Sequence, residues 1–252
     1  MSKAVRQYLW RNSAEGKANQ KALEDLRNKY TGRRCFIMGN GPSLKLCDLT
    51  LLKNEITIGS NAQFLIWNEM GYAPTFLTVE DRLVAEDRAK ELNAIKETVK
   101  IFPFDLSYCL LKDEKTIFIN FVRQYQPFPQ FSNRFEKRVY WGGTVTFLNI
   151  QLAYYLGCNP IYLIGLDHNY KVPKKIENSV IISEEDDVNH IHPDYFGTGY
   201  RWHDPNVERM EQSYMVAREF LNAKKIQIFN ASVGGKLEVF ERINYDELKF
   251  ND

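Results

Sequence analysis

The sequence predicts an α/β fold that is Rossmann-like and doubly wound, with a mostly parallel sheet, a long lid segment and an N-terminal helix. Short apolar runs such as 35–38 and 161–164 alternate with segments of helical periodicity along most of the chain. That alternation is typical of a parallel sheet covered by helices on both faces. The first apolar run also enters a glycine-rich turn at 39–43, and ligands of such folds bind where strands end.

Composition favours one globular domain and excludes several classes of protein. The chain has 252 residues, of which 44% are apolar, enough for a substantial core. Lys and Arg number 33 against 32 Asp and Glu, so no global basic charge points to nucleic acid. No apolar run approaches the ~20 residues of a membrane span, and no secretory signal is apparent. We expect a cytoplasmic protein with reduced, buried cysteines. Such a protein can also contact the inner membrane peripherally.

The N-terminal part of the chain differs from the rest. Residues 1–32 are predicted to form a helical extension, rich in Lys, Arg, Glu, Ala and Gln, that precedes an α/β domain over residues 33–252. We expect helix over about residues 1–30, interrupted at Gly16 and ended by Thr31 and Gly32.

The other elements follow from periodicity. The predicted strands cover residues 35–38, 56–58, 75–79, 99–104, 116–121, 161–164 and 226–229. The predicted helices cover residues 62–70, 83–95, 145–156 and 207–221, and an irregular insertion lies at 122–140.

Polar residues follow several of these strands directly. Because ligands of doubly wound sheets bind beyond the carboxyl ends of the strands, we expect these residues to line one cleft. They are Gly39, Asn40, Gly41, Pro42, Ser43, Asn61, Glu80, Asp81, Asp167 and the segment 230–232.

The turn after the first strand is a candidate phosphate site. Gly39 and Gly41 permit close approach of the backbone and positive φ, and N–H groups that are free in such a turn attract phosphate oxygens. Asn40 and Ser43 add side chains that form hydrogen bonds. A tight structural turn explains a lone G-x-G equally well, and neither a P-loop nor a full G-x-G-x-x-G is present.

A second glycine turn precedes the helix predicted from Val145. Gly142, Gly143 and Thr144 at a helix N-terminus suit a phosphate or a carboxylate. The alternative is a turn that only caps the helix, with Thr144 as the N-cap.

His203 is the candidate general base. Asp204 resembles an N-cap and Pro205 a first helical residue, so His203 is predicted to lie just outside a helix N-terminus. The positive end of the helix dipole would keep its imidazole neutral and able to accept a proton. A structural or merely polar role is the commoner one for a lone histidine.

All four histidines lie in or next to the long segment 168–202, which we predict to be a lid. The residues expected to position substrate there are His168, Tyr170, His190, His192, Tyr195 and Tyr200. A His-x-His pair such as His190 and His192 can bind metal, but no third ligand is spaced to complete the site.

The acidic pair Glu80 and Asp81 also has two interpretations. Carboxylates at a strand end can hold Mg²⁺ between protein and phosphates, whereas Asp81 alone would serve as an N-cap for the next helix. Asp167, at the end of another strand, is a candidate ligand for a ribose hydroxyl, a base or a metal.

Two known groups of proteins resemble this chain over roughly residues 33–240. The strand and turn 35–44, Asn61, the turn at Gly142, the segment 156–167 ending in Asp167, and His203 resemble bacterial sialyltransferases that decorate lipooligosaccharides. The segments 71–81 and 230–235 resemble the MptE-like superfamily, which includes archaeal 6-hydroxymethylpterin pyrophosphokinases and motility-associated flagellin glycosyltransferases. The sialyltransferases carry an amide in place of Glu80 and Asp81.

The resemblance implies that residues 33–252 form a nucleotide-binding transferase domain. Its favoured activity is a glycosyltransferase that moves an acidic sugar of nonulosonate type from a CMP donor to a surface glycan or protein. His203 would be the base, and the 39–43 turn, Asn61, the 142–144 turn and Asp167 would hold the nucleotide. The alternatives are an ATP- and Mg-dependent pterin pyrophosphokinase and a non-catalytic nucleotide-binding protein. We expect no covalent cofactor, and a homo-oligomer.

Overall fold

A computed structural model describes residues 3–170, 180–183, 186–203 and 205–250. The helices in these ranges are α1 (Lys3–Asn12), α2 (Ala14–Glu24), α3 (Trp67–Met70), α4 (Arg82–Asp87), α5 (Ala89–Ala94), α6 (Val145–Tyr155) and α7 (Val207–Ala223). The strands are β1 (Cys35–Met38), β2 (Ile56–Ser60), β3 (Phe76–Thr78), β4 (Val99–Pro103), β5 (Thr116–Ile119), β6 (Phe121–Val122), β7 (Val139–Tyr140), β8 (Ile161–Ile164), β9 (Val180–Ile182), β10 (Arg201–His203), β11 (Ile228–Asn230) and β12 (Glu241–Arg242). Short 3₁₀ turns lie between them.

The predicted α/β fold is confirmed. Eight strands form one sheet in the order β12-β11-β8-β1-β2-β3-β4-β5, and each neighbouring pair is parallel. Strand β1 pairs with β2 on one side and with β8 on the other, so the chain changes winding direction there. The carboxyl ends of β1 and β8 therefore border the crevice in which doubly wound sheets bind ligands.

The helices cover this sheet and bury its apolar residues. Helix α6 is buried along nearly its whole length, because it lies between the sheet and α7. Strands β1 and β2 are buried at every position, as expected of parallel strands covered on both faces.

The N-terminal helix is interrupted at a different residue from the one predicted. Helix α1 ends at Asn12, and Ser13 is the N-cap of α2, its hydroxyl accepting a hydrogen bond from Gly16 N at 3.1 Å. Gly16 lies inside α2, where the backbone of Trp10 packs directly against it. A Cβ at this position would overlap the Trp10 carbonyl. Helix α2 also ends at Glu24, earlier than the predicted limit near residue 30.

Two further helices differ from prediction. The segment predicted as one helix over 83–95 is divided at Arg88, whose guanidinium donates to the carbonyls of Asp194 and Tyr195 in the lid segment. The predicted helix over 62–70 begins as a 3₁₀ turn at Gln63–Ile66 and becomes α-helical only at Trp67. The apolar periodicity of these two segments predicts which face is buried, but it does not predict the tertiary contacts that interrupt the helices.

Candidate functional site

A cavity of about 170 Å³ opens beyond the carboxyl ends of β1, β2, β3 and β8. The predicted site residues that line it are Gly39, Asn40, Gly41, Asn61, Glu80, Asp81, Gly143, Thr144, Asp167, His168, Tyr170, His190, Tyr195 and His203. Pro42, Ser43, Gly142, His192, Tyr200 and the segment 230–232 do not line it. Most of the predicted cleft residues are therefore brought together at one edge of the sheet.

The glycine turn after β1 contacts protein rather than offering free N–H groups. Gly39 N donates to Ile164 O at 2.7 Å, and Gly41 N donates to Gly165 O at 2.9 Å. Gly41 also has an ordinary negative φ of −70°. The expectation that both glycines supply free donors and positive φ is wrong, because these backbone groups tie the turn to the end of β8.

Asp167 is fixed by that same turn. Its Oδ2 accepts a hydrogen bond from Ser43 N at 3.0 Å, and a Cβ on Gly41 would overlap the carboxylate. Gly41 is therefore required for packing against Asp167. Asp167 also lines the cavity, where its carboxylate can accept hydrogen bonds from a ligand.

Two amide side chains next to the turn retain unused acceptors. Asn40 Nδ2 donates to Ser60 O and Oγ at 3.3 and 3.2 Å, while its buried Oδ1 has no partner among the described residues. Asn61 Oδ1 is also buried without a partner among the described residues, and Asn61 has a positive φ of 56°. Buried polar atoms without partners are uncommon in folded proteins, so both amides are suited to bind a ligand.

Glu80 lies at the end of β3 and is only 5% exposed. Its Oε2 has no hydrogen-bond partner in the described structure. Burial raises the pKa of Glu80 to about 8, since the nearby Arg123 guanidinium only partly offsets the loss of solvent and the charges of Asp81 and Asp105 add to the increase. The side chain is therefore a neutral carboxylic acid at neutral pH, able both to donate and to accept.

His203 pairs with Asp81. The imidazole Nδ1 lies 2.8 Å from Asp81 Oδ2, while Oδ1 of the same carboxylate caps α4 by accepting from Leu83 N at 2.7 Å. The hydrogen bond to Asp81 raises the pKa of His203, and the positive charges of Arg82 and Arg123 counteract this increase in part. His203 side chain is 50% exposed, and its second nitrogen remains for a substrate.

This arrangement corrects the predicted surroundings of His203. The residue belongs to β10, which pairs antiparallel with β9, and α7 starts only at Val207 with Asn206 as its N-cap. Pro205 precedes the helix, and Asp204 lies outside the described residues. The state of the imidazole is therefore set by the carboxylate of Asp81, which favours the charged form, and not by a helix dipole favouring the neutral form.

The other three histidines have structural partners. His168 Nε2 lies 3.1 Å from Glu211 Oε1. His190 Nδ1 lies 2.7 Å from Asp187 Oδ2, and its ring stacks on Tyr195 with 4.1 Å between centroids. His192 Nδ1 accepts from Asp194 N at 3.1 Å. Their separate partners distinguish them from His203, whose partner borders the cavity directly.

The lid segment is held against α4 and α5 by two arginines. Arg201 forms ion pairs with Glu86 and Asp87 at 2.9 and 2.5 Å. Arg88 Cζ lies 3.7 Å from the ring centre of Tyr200, so Tyr200 contacts this arginine outside the cavity. Part of the predicted lid, residues 171–179 and 184–185, lies outside the described residues.

The turn before α6 contributes through Gly143 and Thr144. Thr144 is the N-cap of α6 and accepts from Thr146 N at 3.3 Å, as the capping interpretation predicts. Gly143 has a φ of 79°, which glycine adopts at little cost. Gly142 is buried outside the cavity lining, and its carbonyl accepts a hydrogen bond from the Ser213 hydroxyl at 2.8 Å.

Within the described ranges, no group of three or more His, Cys, Asp or Glu side chains could hold a metal ion. The acidic pair alone is poorly suited to Mg²⁺. Both oxygens of Asp81 already have hydrogen-bond partners, and Glu80 is only 5% exposed. The residues present therefore fit a magnesium site at Glu80 and Asp81 badly.

Sequence reasoning missed several residues of the cavity. Ser60 lines it and binds Asn40, and the buried Trp202 lines it with an indole N–H that lacks a partner among the described residues. Ser60 directly precedes Asn61 at a strand end, so the strand-end rule could have found it. Trp202 has no comparable signal, because only the pairing of β9 with β10 turns its side chain toward the cavity.

The family model described as "6-hydroxymethylpterin diphosphokinase MptE-like" matches residues 9–173. No curated protein matches the chain. In the described part of the chain, no helix has the length and apolar character needed to cross a bilayer.

Three solved structures have similar folds. The MAf glycosyltransferase from Magnetospirillum magneticum AMB-1 is 17% identical, with a TM-score of 0.52 over 93% of this chain. This chain spans 39% of that glycosyltransferase. The Campylobacter jejuni sialyltransferase CstII, solved with cytidine-5'-monophosphate, is 18% identical, with a TM-score of 0.47 over 84% of this chain and 85% of its own. The α-2,3-sialyltransferase Cst-I from the same organism is 15% identical, with a TM-score of 0.46 over 87% of this chain and 83% of its own.

Proposed function

The chain belongs to the MptE-like family, and we propose that within it this protein is a nucleotide-dependent glycosyltransferase. The donor is a CMP-activated acidic sugar of the nonulosonate type, and the acceptor is a hydroxyl of a surface glycan or a protein. The observation that carries the proposal is the pairing of His203 with Asp81 at the rim of the cavity, 2.8 Å apart.

In this proposal the sugar is transferred in one displacement. His203, with its Nδ1 proton directed to Asp81, takes the acceptor hydroxyl proton on Nε2. The acceptor oxygen forms a bond to the anomeric carbon while the bond from that carbon to the CMP phosphate oxygen breaks, and the phosphate keeps the electron pair. Asp81 stabilises the imidazolium that forms, as the buried carboxylate of a catalytic triad does.

The nucleotide is assigned to the β1 and β8 side of the cavity. Asp167 accepts hydrogen bonds from ribose or base, and the unpaired acceptors of Asn40 and Asn61 add further contacts. Gly143 and Thr144 line the cavity at the start of α6, and in this proposal they contact the phosphate. The lid residues His168, Tyr170, His190 and Tyr195 also line the cavity and would contact the donor.

The second candidate is an ATP- and Mg-dependent pyrophosphokinase, favoured by the description of the family model. It requires a divalent cation between the protein and the phosphates. The two occupied oxygens of Asp81 make this candidate the weaker one.

Thermal-shift titration separates the two candidates. A ligand that binds the native state alone stabilises it by about 2.7 kcal/mol at a hundredfold excess over Kd. We expect CMP and CMP-N-acetylneuraminic acid to raise Tm equally with Mg²⁺ and with EDTA. Stabilisation by ATP only in the presence of Mg²⁺, with none by CMP, would favour the pyrophosphokinase.

His203→Ala tests the assigned base. We expect turnover to fall by about 10²–10⁴-fold with CMP affinity and Tm nearly unchanged. His192→Ala is the matched control, since His192 lies in the same segment but does not line the cavity. Near-normal turnover of the His203 variant, or a greater loss in the His192 variant, would contradict the assignment.

A further inference from the structure

A second and larger cavity, of about 910 Å³, lies on the outer side of His203. It is bordered by Arg82, Trp141 and the start of α7, and it shares Glu80, Asp81 and His203 with the first cavity. Ligand pockets typically enclose about 300–1,000 Å³. His203 therefore lies between two cavities, and the volume of the outer one is in the range of a ligand site.

One wall of this outer cavity holds a guanidinium in a defined position. Arg209 Cζ lies 5.2 Å from the ring centre of Trp141. Gly143 has no side chain, and a Cβ there would lie 3.1 Å from Arg209 Cδ, so the glycine leaves room for this arginine. Such a cation–π contact restrains the guanidinium and prepares it to bind an anionic group.

The charges around the outer cavity favour an anion. Arg82, Arg123 and Arg209 line it. Arg123 is paired with Asp105 at 2.6 Å, and Asp81 is paired with His203. Of the two other acidic residues in the lining, Glu80 is buried with a pKa raised to about 8, so Glu208 is the carboxylate that remains near Arg82 and Arg209 at neutral pH.

Glu80 adds an independent sign of a ligand. Its side chain is more than nine-tenths buried and lines both cavities, and Oε2 has no partner in the described part of the chain. A sugar hydroxyl could satisfy that oxygen, whereas an apolar peptide side chain could not. The exposed amides of Gln124 and Asn206 also line the groove, which suits the hydroxyl groups of a saccharide.

We propose that the outer cavity is the acceptor site and that it takes an acidic saccharide, whose carboxylate or phosphate binds Arg209 and Arg82. This inference rests on the proposed glycosyltransfer and deepens it by naming the acceptor class. Trp141 is a positioning residue that acts through Arg209.

Calorimetric titration of the full chain with three monosaccharides tests the proposal without requiring turnover. The probes are methyl β-D-glucuronide, neutral methyl β-D-glucoside, and glucose 6-phosphate, each titrated with CMP present and absent. We expect the glucuronide or the phosphate to bind at least about tenfold more tightly than the glucoside, since hydrogen bonds to charged groups contribute about 1.5–3 kcal/mol. Comparison of the two anions shows which group the site prefers.

Two variants locate the binding. Arg209→Gln should weaken binding of the preferred anion about tenfold and leave the glucoside unchanged. Lys224→Gln is the matched control, because Lys224 is in a similar cation–π contact with Phe220 close to the far end of α7. Trp141→Leu should reproduce the loss, and adding it to Arg209→Gln should weaken binding no further.

Equal binding of glucoside and anions, no saccharide binding at millimolar concentration, or unchanged anion affinity in Arg209→Gln would overturn the proposal. Binding of an acidic peptide, acetyl-Asp-Ser-amide, in place of every saccharide would overturn it as well. Failure of the proposed glycosyltransfer is recognised separately, as absence of CMP binding and of CMP-N-acetylneuraminic acid hydrolysis, because the saccharide titration does not depend on the donor.

Discussion

At the scale of single residues, the buried carboxyl of Glu80 couples the stability of the protein to pH. Burial raises its pKa from 4.5 to about 8, so between these values the folded state holds a proton that the unfolded state releases. The contribution of Glu80 to the free energy of unfolding is fully present below about pH 4.5, and it is lost as pH rises toward 8. The loss attributable to this group is on the order of a few kcal/mol.

Glu80→Gln should remove that loss. Glutamine keeps the shape of the acid but does not titrate, so the difference in Tm between variant and wild type should shift in favour of the variant as pH rises from 5 through 8. Calorimetry across this range measures the effect, with the exposed Glu69→Gln as control. Parallel curves for Glu80→Gln and wild type would show that the carboxyl ionises normally.

Asp81 determines the pH range in which His203 can accept a proton. Its hydrogen bond raises the pKa of His203, and a base works only when neutral, so activity should fall as pH drops through that raised pKa. Asp81→Asn should move this acid limb of kcat/KM to lower pH and also lower kcat, since the imidazolium loses its counter-charge. The asparagine still caps α4.

The pH profile of kcat/KM and the NMR titration of His203 measure this prediction. Asp187→Asn is a suitable control, since Asp187 pairs with His190 in the lid and not with His203. An acid limb unchanged by Asp81→Asn would mean that the hydrogen bond does not control the base.

At the scale of elements, the turn after β1 and the end of β8 form one unit. Gly41 leaves room for Asp167, whose carboxylate binds Ser43 N. Gly41→Ala should displace this carboxylate and weaken CMP binding about as much as Asp167→Ala does. Because the two residues touch, the double variant should lose little more than either single one.

Titration with CMP of all four proteins in this cycle measures the coupling. Losses that add fully would mean that Gly41 and Asp167 act on the nucleotide independently, as in the interpretation of the turn as a phosphate cradle. Circular dichroism serves as the check that each variant is folded.

At the scale of the whole molecule, the N-terminal helices share the core of the sheet. Leu23 and Leu26 are buried in the same apolar cluster as β1 and β8. Asn19 donates from Nδ2 to Phe118 O at 2.9 Å and accepts on Oδ1 from Phe118 N at 2.8 Å. Helix α2 therefore pairs backbone groups of Phe118 on the outer edge of β5, an edge that would otherwise be open to association with another strand.

Removal of residues 1–26 should therefore abolish cooperative unfolding or greatly lower Tm. Asn19→Ala, a milder change, should cost about 1–3 kcal/mol because it leaves buried backbone groups of β5 unpaired. Urea denaturation measures both, and Lys17→Ala, at an exposed polar position in α2, is the control. Unchanged melting after the deletion would show that residues 27–252 fold independently of the N-terminal helices.

The sequence by itself determined the fold class and most of the cleft. Apolar runs of four or five residues predict the strands, because a strand that is buried on both faces must be apolar throughout. The strand-end rule then placed Asn40, Asn61, Glu80 and Asp167 at one edge, because parallel strands present their carboxyl ends together.

Only the tertiary structure decided what each of these residues contacts. The partner of His203 is Asp81, 122 residues away in the chain, and the partner of Gly41 is the carboxylate of Asp167. Local patterns carry no record of such distant contacts. The sequence suggested a neutral imidazole at a helix N-terminus because the adjacent Asp and Pro resemble a helix start, whereas packing of the β9–β10 pair against α4 places that imidazole on a carboxylate and raises its pKa.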